Sequence, residues 1–240
     1  MRIGHASISE HGTINGSAGD QNGKEVKIST FYVATGNWTC VLRPNAEYAE
    51  KIAKACEKGC ANNNIGYSQN NRNTAHSKAK AVGYDLAKIT EKCNTDCSAF
   101  MTLCAIAGGV KELEYVGNAP TTSTMADKFS KTKKFTKLTD HKYISSGTYL
   151  KRGDILVKAG KHTVMVLDDG SKANVVQKYY PKYIGSSTKI DDVFKAIGAA
   201  YGSVSKRKPV AQKNGYANYS GTATQNLELV KKAKSGTLLM

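Results

Sequence analysis

Residues 96–107, which read DCSAFMTLCAIA, decide the fold class of this sequence. Almost every position after Asp96 is apolar or small, so the segment predicts a helix that is buried on nearly all sides. Asp96 or Thr95 is its predicted N-cap, and Gly108 and Gly109 end it. A helix of this kind belongs at the centre of a domain, and we expect the rest of the fold to surround it.

Strand patterns occur on both sides of this helix. Residues 3–44 alternate β-forming segments with turns, whereas residues 45–60 have an amphipathic helical pattern. Three further strands are predicted after the central helix, at residues 154–157, 162–167 and 173–177. A turn at residues 168–171 joins the last two as a hairpin. Helices followed by an antiparallel sheet define the α+β class, which is the fold class that we predict.

The chain is predicted to contain two domains. Gly185, Ser186 and Ser187 are typical of a linker, which separates a main domain over residues 1–184 from a small unit over residues 187–240. The small unit has three helical patterns: residues 190–197, a segment that Pro209 opens at the first helical position, and residues 222–235. About fifty residues in three short helices form a marginal domain, which suits a binding module.

The charge of the chain points to a polyanionic partner. Of its 240 residues, 35 are Lys or Arg and 19 are Asp or Glu, which gives a formal net charge of +16. No run approaches the roughly 18 to 20 apolar residues of a membrane span, which excludes an integral membrane protein. The first residues lack the apolar core of a secretion signal, so we expect the protein to be made in the cytoplasm. Nucleic acid, anionic lipid and anionic cell-wall polymer are the partner classes that charge alone leaves open.

The six cysteines do not form a metal-binding pattern. Cys56 and Cys60, like Cys93 and Cys97, are four positions apart, whereas a zinc knuckle needs the C-x2-C spacing. The five histidines supply no second half of such a site. No phosphate-binding loop or dinucleotide fingerprint occurs either. We therefore predict neither a metal nor an organic cofactor.

Cys97 differs from the other cysteines because it follows the N-cap of the central helix. Free backbone N–H groups and the positive end of the helix dipole lower the pKa of a thiol there and favour the reactive thiolate. The same N–H groups, next to Asp96 and Ser98, can bind the oxyanion of a tetrahedral intermediate. A base must then come from another element, and His162 is the candidate because it opens a strand.

The imidazole of His162 needs a third group that orients it through its second nitrogen. Asn174 lies twelve residues further along, on the next predicted strand, and a hairpin of this size brings the two side chains together. Asp168 and Asp169 are the alternatives, but acidic residues in a turn are normally solvated. We favour Asn174 and leave both aspartates open.

Three blocks of this sequence resemble the signature blocks of NlpC-type cell-wall cysteine peptidases. They are Asp96-Cys97-Ser98, residues 153–157 (GDILV) and residues 162–166 (HTVMV). The related CHAP amidases and peptidases have similar blocks. The resemblance implies a papain-like fold, in which the cysteine lies on a helix packed against an antiparallel sheet that carries the histidine. It also implies cleavage of amide bonds in the stem peptides of peptidoglycan through a thiol acyl-enzyme.

The resemblance also assigns roles to individual residues. It implies that the nucleophile is Cys97, the base His162 and the third polar group Asn174. Tyr67 resembles, at a longer spacing, the tyrosine that the family places before its cysteine near the oxyanion site. Asp96 and Ser98 flank the nucleophile at that site. Residue 99 is alanine where the family commonly has glycine.

The two ends of the chain, residues 5–26 and 219–226, resemble endolysins of phages and prophages of Gram-positive hosts. The resemblance therefore implies a peptidase domain over residues 1–184 and a wall-binding module over residues 187–240. Residues 101–240 hold 23 basic and 10 acidic residues. An anionic wall that bears teichoic acids accounts for this excess better than nucleic acid does.

The resulting hypothesis is a peptidoglycan hydrolase, an endolysin that cleaves an amide bond in the stem peptide. One alternative is a CHAP-like N-acetylmuramoyl-L-alanine amidase. The other is a non-catalytic basic protein that binds walls or nucleic acid, for which the lysines between residues 128 and 142 alternate with Phe129 and Phe135. We favour the interpretation that those lysines are a solvated face over two core phenylalanines. Asp20 either contacts substrate or shapes its glycine-rich loop.

Overall fold

The chain folds into two compact units, Met1–Asn174 and Val175–Met240, in a computed structural model that describes residues 1–174 and 178–240. The division lies ahead of the linker predicted at residues 185–187. Tyr180 and Tyr183 pack against the apolar core of the second unit, and the Tyr183 N–H donates to the Ala233 carbonyl at 3.0 Å. These contacts assign the segment before residue 187 to the second unit.

The first unit is built on a six-stranded antiparallel sheet. The strands, within the fully described residues 1–174, are β1 (Arg2–Ala6), β2 (Val26–Thr30), β3 (Cys40–Pro44), β6 (Phe135–Leu138), β7 (Ile155–Lys158) and β8 (His162–Val166). They lie in the order β2-β1-β8-β7-β3-β6, and each pairs antiparallel with its neighbours. A separate parallel pair joins β4 (Ile65–Tyr67) to β5 (Cys93–Thr95).

The predicted central helix is present and buried. The α-helices of residues 1–174 are α1 (Ala46–Cys60), α2 (Thr74–Ala81), α3 (Cys97–Ala107), α4 (Met125–Lys131) and α5 (His141–Ile144). In α3, every residue from Cys97 to Ile106 is buried. α1 packs closely along it, since a Cβ added to Gly108 would lie 2.8 Å from the backbone nitrogen of Ile52. The α+β class with an antiparallel sheet is therefore confirmed.

Both faces of the large sheet are buried at its central strands β8, β7 and β3, and side chains alternate between the faces. One face, with Ile155 and Met165, packs on α1 and α3. The opposite face, with Leu156 and Val164, is covered by Trp38. Burial on both faces explains why β7 and β8 are continuous apolar runs in the sequence.

The strands predicted at residues 154–157 and 162–167 are confirmed as β7 and β8, but the third predicted strand at 173–177 is not. Ala173 and Asn174 lie in a turn, where the Lys172 N–H donates to the Thr148 carbonyl at 2.8 Å. Residues 175–177 lie outside the described residues. The neighbours of β8 are β7 and the N-terminal strand β1, which takes the place of the expected hairpin partner.

The second unit is helical, as the sequence predicts. Over residues 178–240, where the structure describes it, its α-helices are α6 (Ile190–Ala196), α7 (Val204–Lys213) and α8 (Ala223–Ser235). They share a core of their own, in which Phe194, Val210 and Leu229 are buried. α8 begins as predicted, because Thr222 and Gln225 form a capping box.

α7 begins earlier than predicted. The side chain of Ser203 caps it by accepting a hydrogen bond from the Lys206 N–H, and Pro209 lies in the helix interior. The cap, rather than the proline, therefore sets the start of this helix. In the part of the chain that the structure describes, no helix is long and apolar enough to span a bilayer.

Candidate active site

Cys97 is the first residue of α3 and is buried, with 6% of its surface exposed. The preceding residue caps the helix: an Asp96 carboxylate oxygen accepts the Ala99 N–H at 2.7 Å, and the Asp96 carbonyl accepts the Phe100 N–H at 2.9 Å. The N–H of Ser98 faces the thiol of Cys97. The cap thus aligns the start of α3 and leaves one backbone donor beside the sulfur.

The guanidinium of Arg72 binds the side chains of the two residues that flank Cys97. Its Nε lies 2.5 Å from an Asp96 carboxylate oxygen, and its Nη2 donates to the Ser98 hydroxyl at 2.7 Å. The same guanidinium donates to the carbonyls of Ala119 and Pro120. The side chains of Asp96 and Ser98, predicted near the oxyanion, are therefore engaged in a buried network. Arg72 lies in a polar, asparagine-rich loop, and no local sequence pattern indicates this role.

Strand β1 separates from β8 beside Cys97. The two strands pair only at Ile3 with Val166 and at Gly4 with Met165. N–H groups alternate along β8: Val166 donates toward β7 and Leu167 donates toward β1. The N–H of Thr163 therefore points to the side that β1 has left, and there it faces the Cys97 thiol.

His162 opens β8, and its imidazole is held by a second histidine. Its Nε2 lies 3.1 Å from Nδ1 of His5 on β1, and Nε2 of His5 lies 3.1 Å from the hydroxyl of Ser29 on β2. Three neighbouring strands thus supply one hydrogen-bonded chain. No local sequence pattern indicates that His5 and His162 pair, because 157 residues separate them.

The structure does not place Asn174 beside His162. Its amide donates to an Asp169 carboxylate oxygen at 2.8 Å, and the same carboxylate accepts the Arg152 N–H at 2.8 Å. Asp168 pairs with Arg2 at 2.6 Å. All of these groups lie beyond the far end of β8, and the strand itself separates them from His162 by about 13 Å. The structure therefore does not bring Asn174, Asp168 or Asp169 to His162, because Asn174 lies in a turn where its amide binds Asp169, and the strand beside His162 on that side is β1.

Two tyrosines lie near the thiol, one predicted and one not. Tyr67 on β4 is buried, and its hydroxyl accepts a hydrogen bond from the Gln69 amide at 3.2 Å. Tyr32, which follows β2, has its ring centroid 6.4 Å from that of His5. Burial raises the pKa of both phenols, and the charge of a Cys97 thiolate raises it further. Both rings therefore lie within electrostatic range of Cys97.

Burial also sets the ionisation of the reacting groups. It raises the pKa of the Cys97 thiol to about 12, with a further increase from Asp96, although the N–H groups of Thr163 and Ser98 oppose it. It lowers the pKa of His162 to about 4, against the effect of Asp96. Burial likewise lowers the pKa of His5 to about 4, assisted by His162 and Lys27. The expectation of a lowered thiol pKa is wrong, because loss of solvent outweighs the backbone donors.

Asp20 shapes its own loop. Its carboxylate accepts hydrogen bonds from the backbone N–H groups of Asn22, Gly23, Lys24, Glu25 and Val26. The buried carboxylate of Glu25 in turn accepts the Tyr67 N–H at 2.9 Å. The glycine-rich loop is therefore a support for the strand that carries Tyr67.

The lysine run around α4 is a solvated face, as we favoured. Phe129 and Phe135 are buried with ring centroids 4.9 Å apart, so neither ring is free to stack on a base. Lys128, Lys131 and Lys137 are exposed. Among residues 1–174 and 178–240, no group of three or more His, Cys, Asp or Glu side chains is placed to hold a metal ion.

Comparisons with known proteins give one family. A family model described as an endolysin-like domain matches residues 3–173 of the chain. The match covers more than half of the sequence and includes α3, β8 and all of β1 after Arg2, the elements that carry Cys97, His162 and His5. No curated protein and no solved structure matches the chain.

Proposed function

The chain belongs to the endolysin-like domain family, and from this premise we propose that it is a peptidoglycan hydrolase that uses Cys97 to cleave an amide bond of the stem peptide. The family itself indicates an endolysin-type protein that acts on the bacterial cell wall. The finer proposal is supported by the backbone N–H of Thr163, the residue after His162, which lies close enough to Cys97 to lower the pKa of its thiol, and by the hydrogen bond that holds the His162 ring on His5. A nucleophile, a base and a group that orients the base are the parts of a thiol hydrolase site.

The hydrogen bonds between the histidines favour one arrangement of protons. To accept the proton of Cys97, His162 must have Nδ1 unprotonated, so its Nε2 carries hydrogen and donates to Nδ1 of His5. The Nε2 of His5 then donates to the Ser29 hydroxyl. This tautomer assignment follows from the hydrogen-bond network. With these protons, every ring nitrogen of the two histidines has a hydrogen-bond partner except Nδ1 of His162, which accepts the thiol proton.

Both reacting groups begin neutral, because burial holds the pKa of Cys97 at about 12 and that of His162 at about 4. His162 is therefore a general base, which takes the thiol proton as sulfur bonds to the carbonyl carbon of the substrate. The same proton passes to the amine as the carbon–nitrogen bond breaks, leaving a thioester on Cys97. Water then attacks the thioester, gives a proton to His162, and the sulfur leaves with that proton.

The backbone N–H of Ser98 is the donor available to the oxyanion. Asp96 already accepts the N–H groups of Ala99 and Phe100, whereas the N–H of Ser98 lies beside the sulfur. A donor fixed at that point stabilises charge that develops on the carbonyl oxygen. Arg72 holds Asp96 and the Ser98 hydroxyl, so these side chains act by positioning α3.

The test is mass spectrometry of muropeptides after digestion of Gram-positive walls. Cys97→Ala should abolish the release of new fragments while the melting temperature stays near that of the native protein. Cys40→Ser is the matched control, because this buried thiol lies on β3, which β7 separates from β8. New amino-terminal alanine would identify an amidase, and a cut within the stem an endopeptidase. Undiminished hydrolysis by Cys97→Ala would refute the mechanism.

We further propose that the second unit binds the wall. Its residues 175–240 hold 11 basic and 3 acidic residues, and the 174 residues before them hold 24 and 16. Both units thus have a net charge of +8, but the second carries it on far fewer residues. A dense positive charge favours an anionic polymer as its partner.

A further inference from the structure

Tyr32 and Trp38 form an aromatic pair beside the histidines. Their ring centroids lie 5.8 Å apart, and the Tyr32 ring lies 6.4 Å from that of His5. Trp38 is buried, whereas 40% of Tyr32 is exposed. Tyr32 therefore rests on a fixed aromatic base and presents part of its ring to solvent at the edge of the site.

Both members of the pair have an unused hydrogen-bond donor. The indole N–H of Trp38 is buried and has no partner among the described residues. Over the same residues the Tyr32 hydroxyl forms no hydrogen bond either. Because Tyr32 is partly exposed next to His5 and within electrostatic range of Cys97, its hydroxyl is a donor that a ligand at this edge of the site can reach.

We propose that Tyr32 is a substrate-binding residue whose hydroxyl donates a hydrogen bond to a carbonyl or carboxylate oxygen of the stem peptide lying across His5 and His162. The inference rests on the proposed function and adds a contact to it. A peptide has a carbonyl oxygen at every residue, so one of these oxygens can accept a hydrogen bond from the Tyr32 hydroxyl. Burial raises the pKa of Tyr32, so its hydroxyl keeps its hydrogen at physiological pH. Tyr67 does not provide this contact, because its hydroxyl is buried and bound to Gln69.

The experiment compares Tyr32→Phe with the native protein on soluble muropeptides. The phenylalanine keeps the ring against His5 and removes only the hydroxyl. Loss of one hydrogen bond should raise KM about three- to tenfold, with kcat changed less than about twofold. Tyr48→Phe is the control: the Tyr48 ring lies beside Gly109, at the opposite end of α3 from Cys97, and its KM should not change.

Two further measurements separate the possible failures. In the Cys97→Ala background, Tyr32→Phe should raise the Kd for uncleaved muropeptide by the same factor, whether or not the thiol chemistry is correct. Alkylation of Cys97 by iodoacetamide should proceed at the native rate in Tyr32→Phe, because the hydroxyl acts on substrate and not on sulfur. An unchanged KM and Kd, or equal losses in hydrolysis and alkylation, would overturn the assignment. If Cys97→Ala loses hydrolysis but adding Tyr32→Phe to it leaves the Kd unchanged, the role of Tyr32 would be rejected while the proposed function would stand.

Discussion

His5 is the residue that changes the candidate site most. It replaces Asn174 as the partner of His162, and it brings Ser29 into the same hydrogen-bonded chain. Its side chain is 6% exposed and lies among strands rather than in solvent. Since it touches the base and not the thiol, its role in the proposed reaction is to orient His162.

Replacing His5 with alanine should lower kcat on the order of 10- to 100-fold with little change in KM, because the base loses its orientation. Opening the site to water should also raise the pKa of His162 from about 4 toward its ordinary value of about 6.5. The acid limb of the pH–rate profile should therefore move to higher pH. The measurement is a pH series of kcat/KM on muropeptides.

Two variants control for a merely structural effect of His5. His5→Gln keeps an acceptor for His162 and a donor for Ser29, and should recover part of the lost kcat. His11→Ala removes an exposed histidine of the same segment and should leave the profile unchanged. Native kcat and an unmoved acid limb in His5→Ala would show that the histidine pair has no part in the reaction.

At the scale of the element, the start of α3 depends on a buried ion pair. Asp96 caps the helix and pairs with Arg72, and only about a tenth of each side chain is exposed. Breaking such a pair from one side leaves the other charge buried and uncompensated. The cap and the ion pair together therefore hold Cys97 in register with β8.

Asp96→Ala should lower the free energy of unfolding by about 3 to 5 kcal/mol, because it strands Arg72 and removes the cap. Asp85→Ala is the matched control, since Asp85 pairs with Lys58 at the surface and should change stability little. Denaturant titration measures both. The double variant Arg72→Met with Asp96→Ala should have a higher free energy of unfolding than Asp96→Ala alone. A lower value would contradict the explanation that an uncompensated charge on Arg72 causes the loss of stability.

Elements with local signals could be predicted, and those defined by distant contacts could not. The composition of α3, β7 and β8 predicts these elements. Cys97 and His162 are candidates because of their positions at the start of α3 and of β8. Asn174 was misplaced because turn residues predict that the chain reverses, not which strand it then joins. Nothing in the sequence near Arg72 indicates that its guanidinium reaches Asp96.

At the scale of the whole molecule, the two units have separate cores and different charge densities. A fragment of residues 175–240 should therefore fold alone, with helical circular dichroism and one cooperative melting transition. It should also sediment with purified Gram-positive walls, and raising salt from about 50 to about 300 mM should weaken this binding severalfold.

The matched control is residues 1–174 with Cys97→Ala, which has the same net charge of +8 spread over more residues. It should bind walls more weakly than the fragment at equal salt. Equal binding by both fragments would assign wall affinity to net charge alone. An unfolded 175–240 fragment would show that its core needs the first unit.

The meeting of β1 and β8 has a consequence for synthesis. The ribosome makes the chain from its N-terminus, so His5 is synthesised well before its partner His162, which lies 157 residues later on β8. Pairing over such a sequence distance is a slow folding step. A nascent chain that already contains Cys97 still lacks its base, and a product of interrupted translation keeps the thiol without the histidine pair. The proposed lytic activity is therefore withheld until the first domain is essentially complete.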